Sequence, residues 1–404
     1  MHHHQLLIFF AALIFAYGLI SNLAEKKSVT GPMVFVMVGV LGVVLDAEHL
    51  QIRPDVGPVK LVAELALVLI LFTDASLIKL DALRSSPSRV PTRLLLIGLP
   101  LTMIFGTVLG LLMFDGVETV AILLMALILS PTDAALGQVV VKSESVPLNI
   151  RQSISVESGL NDGIALPPIL VCLALLGAEA GQQDGGWLGY LVKQLTLGPL
   201  VGLLVGWIGG KLIQLMTEKG WMSETFQQIS ALPLAILSYA CAESVGGNGF
   251  IAAFVAGLGL TLGTGSSQIR HKIQEFAEAE GAILMLVVFL IFGLALIPVA
   301  VPYWGMRELI YALASLTVIR MVPVAISLAG TKLDWQTKAF IGWFGPRGIA
   351  SVLYLLMSIA AIGFTENEQI MSVIVLTVTL SIFAHGITAA PLSKLYERHV
   401  SDKT

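Results

Sequence analysis

The chain has 404 residues, of which 56% are hydrophobic and only 12% are charged, and its mean hydropathy is +0.88. A soluble domain carries about 25% charged residues, so this composition excludes an ordinary soluble protein. The net charge of −4 gives no sign of a nucleic-acid partner. We therefore expect an all-α polytopic membrane protein in a lipid bilayer.

Thirteen apolar segments are candidate transmembrane helices, since about 20 residues cross a bilayer. They leave about 10 residues for each loop or tail, so we expect no soluble domain within this sequence. In chain order, spans 1 to 13 cover residues 5–23, 32–45, 59–78, 94–114, 119–141, 148–176, 187–215, 227–243, 248–263, 281–297, 302–328, 337–360 and 368–390.

Lysine and arginine divide unequally between the two sides of the predicted membrane. With the N-terminus outside, seventeen of these 23 residues lie in inner loops, four lie in outer loops, and Arg320 and Arg347 lie within spans. Cytoplasmic loops are enriched in lysine and arginine. The distribution predicts a multi-pass protein of the cell inner (plasma) membrane with its C-terminus in the cytoplasm.

Two spans contain helix-breaking sequences at corresponding positions. Span 5 reads Pro131-Thr132-Asp133, and span 12 reads Gly-Pro-Arg-Gly at 345–348. If spans 1–6 match spans 8–13 around span 7, the two breaks correspond and the halves have opposite topology. Paired interruptions of this kind mark the binding site of many transporters. We therefore expect an inverted-repeat transporter fold in which spans 5 and 12 are discontinuous and cross.

Carboxylates are unusually dense between residues 129 and 168. Asp133, Glu157 and Asp162 lie in apolar segments, where a charge costs at least about 2.5 kcal/mol at the centre of a membrane helix. Glu157 and Asn161 are four residues apart and share one helical face. Ser158 and Asp162 each follow one of these residues and lie on the neighbouring part of the helix surface. Oxygen-rich groups beside a helix break predict a site for a proton or a small cation.

Six sequence motifs resemble the NhaP branch of the monovalent cation:proton antiporters, and the resemblance extends over essentially the whole chain. They are SPTDAALG (130–137), ESGLNDGIALP (157–167), ELALVLILFTDAS (64–76), GNGFIAAFVAGL (247–258), VIRMVPV (318–324) and FGPRGIASVLY (344–354). One departure is that many relatives read Thr-Asp-Pro, whereas here Ala134 follows Asp133 and the proline precedes the pair.

The resemblance implies a transporter that is not an enzyme and needs no cofactor. It implies an ion site made of Asp133, Asp162, Ser158 and the backbone of Thr132, with Asp162 also binding the proton. It further implies that Glu157 pairs with a buried arginine, which is Arg320 in span 11, and that Arg347 lies near the crossing breaks. Asp74 would be a carboxylate that surrounds the ion ligands or lines the entry to the ion site. Its place near a span end also fits a purely interfacial role. Asp133, in turn, could cap the second half of span 5 instead of binding the ion.

The family fold implies a moving core of 94–176 and 302–390 against a scaffold of 1–93 and 177–301 that forms a homodimer. The activity implied is exchange of sodium, or lithium, for a proton. Asn161 makes electroneutral exchange the expectation, because relatives with aspartate there are associated with electrogenic exchange. Potassium/proton exchange is the alternative, and an intramembrane aspartic protease or a passive channel is less favoured. His385 in span 13 is expected to be a satisfied core histidine.

Overall fold

The computed structural model of the chain describes residues 2–45, 57–78, 90–133, 136, 140, 143, 146–177, 186–364 and 367–401. Within these residues every regular element is a helix, which confirms the predicted all-α class. The second half of predicted span 5 lies largely outside the described residues. So do several charges that predict the orientation, among them Arg53, Lys79, Arg84, Arg89 and Lys142.

Fourteen labelled helices of the described chain account for the thirteen predicted spans, and a short additional helix covers Glu224–Gln228. They are α1 His2–Lys26, α2 Gly31–Leu45, α3 Gly57–Leu77, α4 Val90–Met113, α5 Thr119–Ile128, α6 Leu148–Leu176, α7 Gly186–Glu218, α8 Ala231–Ser244, α9 Gly249–Gly263, α10 Ser267–Tyr303, α11 Met306–Ser327, α12 Trp335–Trp343, α13 Ile349–Ile362 and α14 Glu368–Ser401. Six described helices are long and apolar enough to cross a membrane, and six more are apolar but shorter.

Several helices depart from regular α geometry. α4 contains a π-helical turn at Leu94–Gly98, α10 contains another at Phe292–Leu296, and α11 bends at Thr317. α12 and α13 are the two halves of predicted span 12, so that span is discontinuous as expected. α10 begins fourteen residues before predicted span 10, because its first turns are polar and hydropathy does not mark them as helix.

The described chain divides into two compact units. Unit 1 comprises 1–60, 81–158 and 285–404, and unit 2 comprises 61–80 and 159–284. The boundary passes through α6 between Ser158 and Gly159, so this helix contributes residues to both units. Compactness does not report motion, so the predicted division into a moving core and a scaffold stays a prediction.

Unit 1 has an apolar core that joins five helices, including α6 through Ile150 and Ile154. Val90 and Leu94 of α4 pack with Val324 of α11, Phe340 of α12 and Tyr396 of α14. The rings of Phe340 and Tyr396 stack with their centroids 4.3 Å apart. This core holds α12, the first half of the discontinuous span, against α14.

Unit 2 is built on very close packing between α7 and α9. Glycines four residues apart on α7 face the backbone of α9, and a Cβ atom at Gly202 or Gly206 would collide with the carbonyl oxygen of Ala252 or Ala256. Small residues allow membrane helices to approach in this way. α9 also supports α6, because the ring of Phe254 lies directly on Gly163.

Candidate functional site

The two predicted helix breaks contact each other within unit 1. α5 ends at Ile128 and residues 131–133 are non-helical, while residues 344–348 are non-helical between α12 and α13. The backbone N–H of Asp133 donates to the carbonyl oxygen of Pro346 over 2.8 Å. The structure therefore brings together interruptions that lie more than two hundred residues apart in the sequence.

Asp133 is fixed by backbone N–H groups from both broken segments. Its Oδ2 accepts from the N–H of Ile349, the first residue of α13, at 2.8 Å, and its Oδ1 accepts from Leu136 at 3.4 Å. The first N–H groups of a helix have no partner within the helix and carry partial positive charge. Asp133 thus caps α13 across the break as well as bonding within its own segment. This orients its carboxylate, which is 6% exposed.

Glycine is required on both sides of the Pro-Arg pair in the second break. A Cβ atom at Gly348 would overlap the carboxylate of Asp133. A Cβ atom at Gly345 would lie 2.6 Å from Nε of Arg320 and 2.9 Å from the Thr132 side chain. These glycines let the second break approach the carboxylate and the guanidinium closely.

We expect Gly348→Ala to disable the site, because the added methyl group must displace the carboxylate of Asp133. Overpacking of a rigid site costs about 1–3 kcal/mol, so transport should fall by on the order of 10-fold or more. The measurement is the initial rate of transport in proteoliposomes. Gly18→Ala in α1 is the control, since a Cβ atom there meets nothing within 4 Å. Equal rates for both variants would contradict this role for Gly348.

The Arg347 guanidinium contacts carbonyl groups at the first helix break and at the bend in α11. Its Nη1 donates to the carbonyl oxygens of Ser130 at 2.6 Å and Pro131 at 3.1 Å, just beyond the end of α5. Its Nη2 lies 3.5 Å from the carbonyl oxygen of Ser315, beside the bend in α11. The guanidinium is fully buried, and its hydrogen bonds stabilise the carbonyl groups at these helix ends. Arg347 is therefore at the helix breaks, as predicted.

Glu157 and Arg320 form a buried ion pair. Nη2 of Arg320 lies 2.6 Å from Oε1 of Glu157, and each side chain is only 1% exposed. The pair joins α6 to the second half of α11 within unit 1. The structure thus selects Arg320, and not Arg347, as the predicted arginine partner of Glu157.

The side chains of two residues of the predicted ion site, Thr132 and Ser158, also meet in unit 1, although only the backbone of Thr132 is predicted as a ligand. Oγ1 of Thr132 lies 3.0 Å from Oγ of Ser158, and both side chains are buried. This contact links the first break to α6 directly. Ser158 is one residue after Glu157, so the ion pair and the hydroxyl pair hold α6 at neighbouring positions.

The remaining predicted residues belong to unit 2. Asn161 is fully buried and Asp162 is 4% exposed, and both continue the uninterrupted helix α6, with Asp162 one turn beyond Ser158. Asp74 is half-buried in α3, and a Cβ atom at Gly159 would lie 3.6 Å from its carbonyl oxygen. Among the described residues, no group of three or more His, Cys, Asp or Glu side chains is arranged to hold a metal ion.

Sequence reasoning missed several backbone partners of the site. Gly345 and Gly348 are predicted only as helix breakers on either side of Pro346-Arg347, and their close approach to Arg320 and Asp133 is not predicted. Sequence reasoning also missed Ser351, whose hydroxyl donates to the carbonyl oxygen of Ile128 at the end of α5. No sequence pattern marks that contact, because it depends on how α5 and α13 meet.

Comparisons with known proteins identify relatives of this chain. The chain resembles the "K(+)/H(+) antiporter NhaP2" of Shewanella sp. (strain MR-4), with 25% identity over 391 residues that cover 93% of this chain. It resembles the "Na(+)/H(+) antiporter 2" of Zygosaccharomyces rouxii, with 26% identity over 61% of this chain and 32% of that protein. The chain spans only 65% of the length of the NhaP2 relative.

The fold is similar to that of a solved structure, the sodium proton antiporter MjNhaP1 from Methanocaldococcus jannaschii at pH 8. The TM-score is 0.76, and the match covers 97% of this chain and 99% of that chain at 18% sequence identity. The family model for the sodium/hydrogen exchanger transmembrane region matches residues 9–395. The chain therefore belongs to the sodium/hydrogen exchanger family of NhaP-type cation/proton antiporters, as its motifs predicted, and so to a family of multi-pass membrane transporters and not of enzymes.

Proposed function

We propose that this protein is a secondary active antiporter that exchanges a monovalent cation for a proton by alternating access. The observation that carries the proposal is the contact between the two helix breaks around Asp133. Irregular backbone at membrane depth is tolerated where it is buried in protein or lines a water-filled cavity. Transporters use such discontinuous helices to bind their substrates near the middle of the bilayer.

Asp162 is the proposed binding group for both the proton and the cation. It is a buried carboxylate on a membrane helix, and such residues mark ion and proton pathways. Asp133, Ser158 and Thr132 are the proposed additional oxygen ligands. The contact between the Thr132 and Ser158 hydroxyls supports this set, since Ser158 lies one turn from Asp162 on α6. Because proton and cation compete for one carboxylate, exchange should fall at both low and high pH.

Potassium is the better-supported cation. Sodium was the first expectation from the motifs, but the bacterial relatives with the broadest coverage are named as potassium/proton antiporters. Sodium is named for the yeast relative and for the solved structure, whose 18% identity speaks only to the fold. We therefore propose potassium/proton exchange, with sodium and lithium as the competing cations.

The test is cation-driven proton movement in proteoliposomes that carry a pH-sensitive dye. Potassium should drive exchange at a lower half-saturating concentration than sodium or lithium. Liposomes without protein give the background rate. A response to sodium or lithium with none to potassium would restore the original expectation, and no response to any of the three would contradict the proposed function.

Electroneutral exchange is the expected stoichiometry, and it follows from Asn161. An amide carries neither a proton nor a charge, and a guanidinium keeps its proton. Glu157 is held in an ion pair with Arg320, and Asp133 is bound by backbone N–H groups. With Asp162 alone exchanging its proton, the membrane potential does no work on the cycle. A charge that crosses the membrane gains or loses about 2.3 kcal/mol per 100 mV, but one-for-one exchange moves no net charge. The ratio of cation to proton gradients at steady state should therefore not depend on voltage.

Clamping the voltage with an ionophore at about 0 and −100 mV tests this directly. The ratio of cation to proton gradients at steady state should be the same at both voltages. A ratio that shifts with voltage would contradict one-for-one exchange and would identify a second proton carrier.

We also propose that the protein is a homodimer with its N-terminus outside the cell. In this arrangement 1–93 and 177–301 form the dimer scaffold, while 94–176 and 302–390 move. The lysine and arginine distribution supports the orientation. Chemical cross-linking in native membranes would show dimers, and monomers alone would contradict the assembly.

A further inference from the structure

His385 occupies a position that a merely packed core histidine does not require. It lies in α14, is 2% exposed, and has a hydrogen-bond partner at each ring nitrogen. Nε2 lies 2.9 Å from the carbonyl oxygen of Trp343, the last residue of α12. Nδ1 lies 3.1 Å from Oγ of Ser381 and 2.9 Å from the Ser381 carbonyl oxygen. Both ring nitrogens therefore face groups that connect to the second helix break.

The directions of these hydrogen bonds follow from the partner of Ser381. Its Oγ accepts from the backbone N–H of Arg347 at 2.7 Å, so its own hydrogen is available for Nδ1 of His385. Nδ1 then accepts, Nε2 carries the ring hydrogen, and Nε2 donates to Trp343. The result is a continuous chain from the N–H of Arg347 to the carbonyl of Trp343. In this tautomer each member of the chain has a partner, while the Ser381 carbonyl oxygen, 2.9 Å from Nδ1, receives no ring hydrogen and accepts from the backbone of its own helix instead.

This chain links both ends of the non-helical segment 344–348. Trp343 precedes the segment, and Arg347 is its second-to-last residue before α13. Between them Pro346 accepts from the N–H of Asp133, and just after them Ile349 donates to its carboxylate. The indole of Trp343 fixes the histidine ring further, with ring centroids 5.0 Å apart, and its Nε1 donates to Thr388 at 3.0 Å.

We propose that His385 is a positioning residue for cation binding, and that it acts as the neutral Nε2–H tautomer. With Ser381, the Arg347 N–H and the Trp343 carbonyl it forms the His385 clamp. The clamp sets the shape of segment 344–348, and the segment in turn orients the carboxylate of Asp133. This inference rests on the proposed function, because it assigns the clamp's effect to cation affinity. An imidazolium would instead direct Nδ1–H to the Ser381 carbonyl and leave the Ser381 hydroxyl without its acceptor.

Transport kinetics test the clamp with matched variants. His385→Ala and Ser381→Ala should each raise the half-saturating cation concentration by on the order of 10-fold. The double variant should be little worse than His385→Ala, because both changes break one chain. His385→Asn places an amide near the Nδ1 position and should retain part of the affinity. Thr379→Val is the control, with an unchanged half-saturating concentration, because the Thr379 hydroxyl donates to the carbonyl oxygen of Val375 within α14 and lies outside the chain.

Two measurements that do not need transport separate this inference from the proposed function. Hydrogen exchange of peptides spanning 344–348 should be faster in His385→Ala and Ser381→Ala than in the wild type and in Thr379→Val. The nitrogen-15 spectrum of histidine-labelled protein should contain a neutral Nε2–H signal that His385→Asn removes. A wild-type protein without exchange activity would contradict the proposed function alone. A doubly protonated signal would overturn the tautomer, and unchanged hydrogen exchange with unchanged cation affinity would overturn the clamp.

Discussion

Replacing Asp162 by asparagine should abolish cation/proton exchange and leave the protein folded. The amide has nearly the same shape as the carboxylate but binds no proton and offers no charge to a cation. Asp162 is 4% exposed on an uninterrupted helix beside Gly163, whose packing against Phe254 does not depend on the carboxylate. The loss should therefore be one of function and not of structure.

The measurement is exchange in proteoliposomes together with the melting temperature in detergent. Asp115→Asn is the control, because Asp115 is exposed between α4 and α5 and the same chemical change there should leave the rate unaltered. Exchange at the wild-type rate in Asp162→Asn would exclude this residue as the shared binding group. A variant that loses both exchange and its folding transition would require Asp162→Glu, which keeps the charge, to separate the two effects.

Breaking the ion pair between Glu157 and Arg320 should produce the largest loss of stability. Removing one member of a buried pair leaves the other charge uncompensated and costs about 3–5 kcal/mol. Glu157→Ala and Arg320→Ala should therefore each lower the melting temperature by several degrees. The double variant removes both charges and should recover part of that loss.

The exposed ion pair between Lys272 and Glu224 provides the comparison. Their side chains are 39% and 79% exposed at an N–O distance of 2.5 Å, and exposed pairs contribute little to stability. The Lys272 ammonium lowers the pKa of Glu224 through a hydrogen bond and by its charge. Lys272→Ala should leave the melting temperature close to that of the wild type. If Glu157→Ala behaved in the same way, the buried pair would not hold α6 to α11.

The sequence predicted the parts of the site that carry an unusual chemical signal. Carboxylates in apolar segments are costly, so Asp133, Glu157 and Asp162 stood out without any structure. Proline and glycine within spans predicted where helices break, and the two breaks indeed meet at Asp133 and Pro346. The family motifs predicted the partner of Glu157, which the structure finds in Arg320.

Contacts made through the backbone could not be predicted in this way. The N–H of Ile349 and the carbonyl of Ser130 exist in every sequence, and only tertiary packing places them beside Asp133 and Arg347. The close contacts of the glycines in the second break could not be predicted either, because the side chains that a Cβ atom would meet there lie elsewhere in the sequence. His385 was expected to be a satisfied core residue, and only its partners at both ring nitrogens indicate more. The division of the chain into moving and fixed parts also has no local signal.

One carboxylate, Asp162, is proposed to bind either a proton or a cation. The most direct measurement is proton release when potassium or sodium is added to purified protein in weakly buffered solution. We expect about one proton to be released for each cation bound by the wild type, since the two compete for one group. Asp162→Asn should release none. Cation binding without proton release, or equal release from the wild type and Asp162→Asn, would contradict the claim.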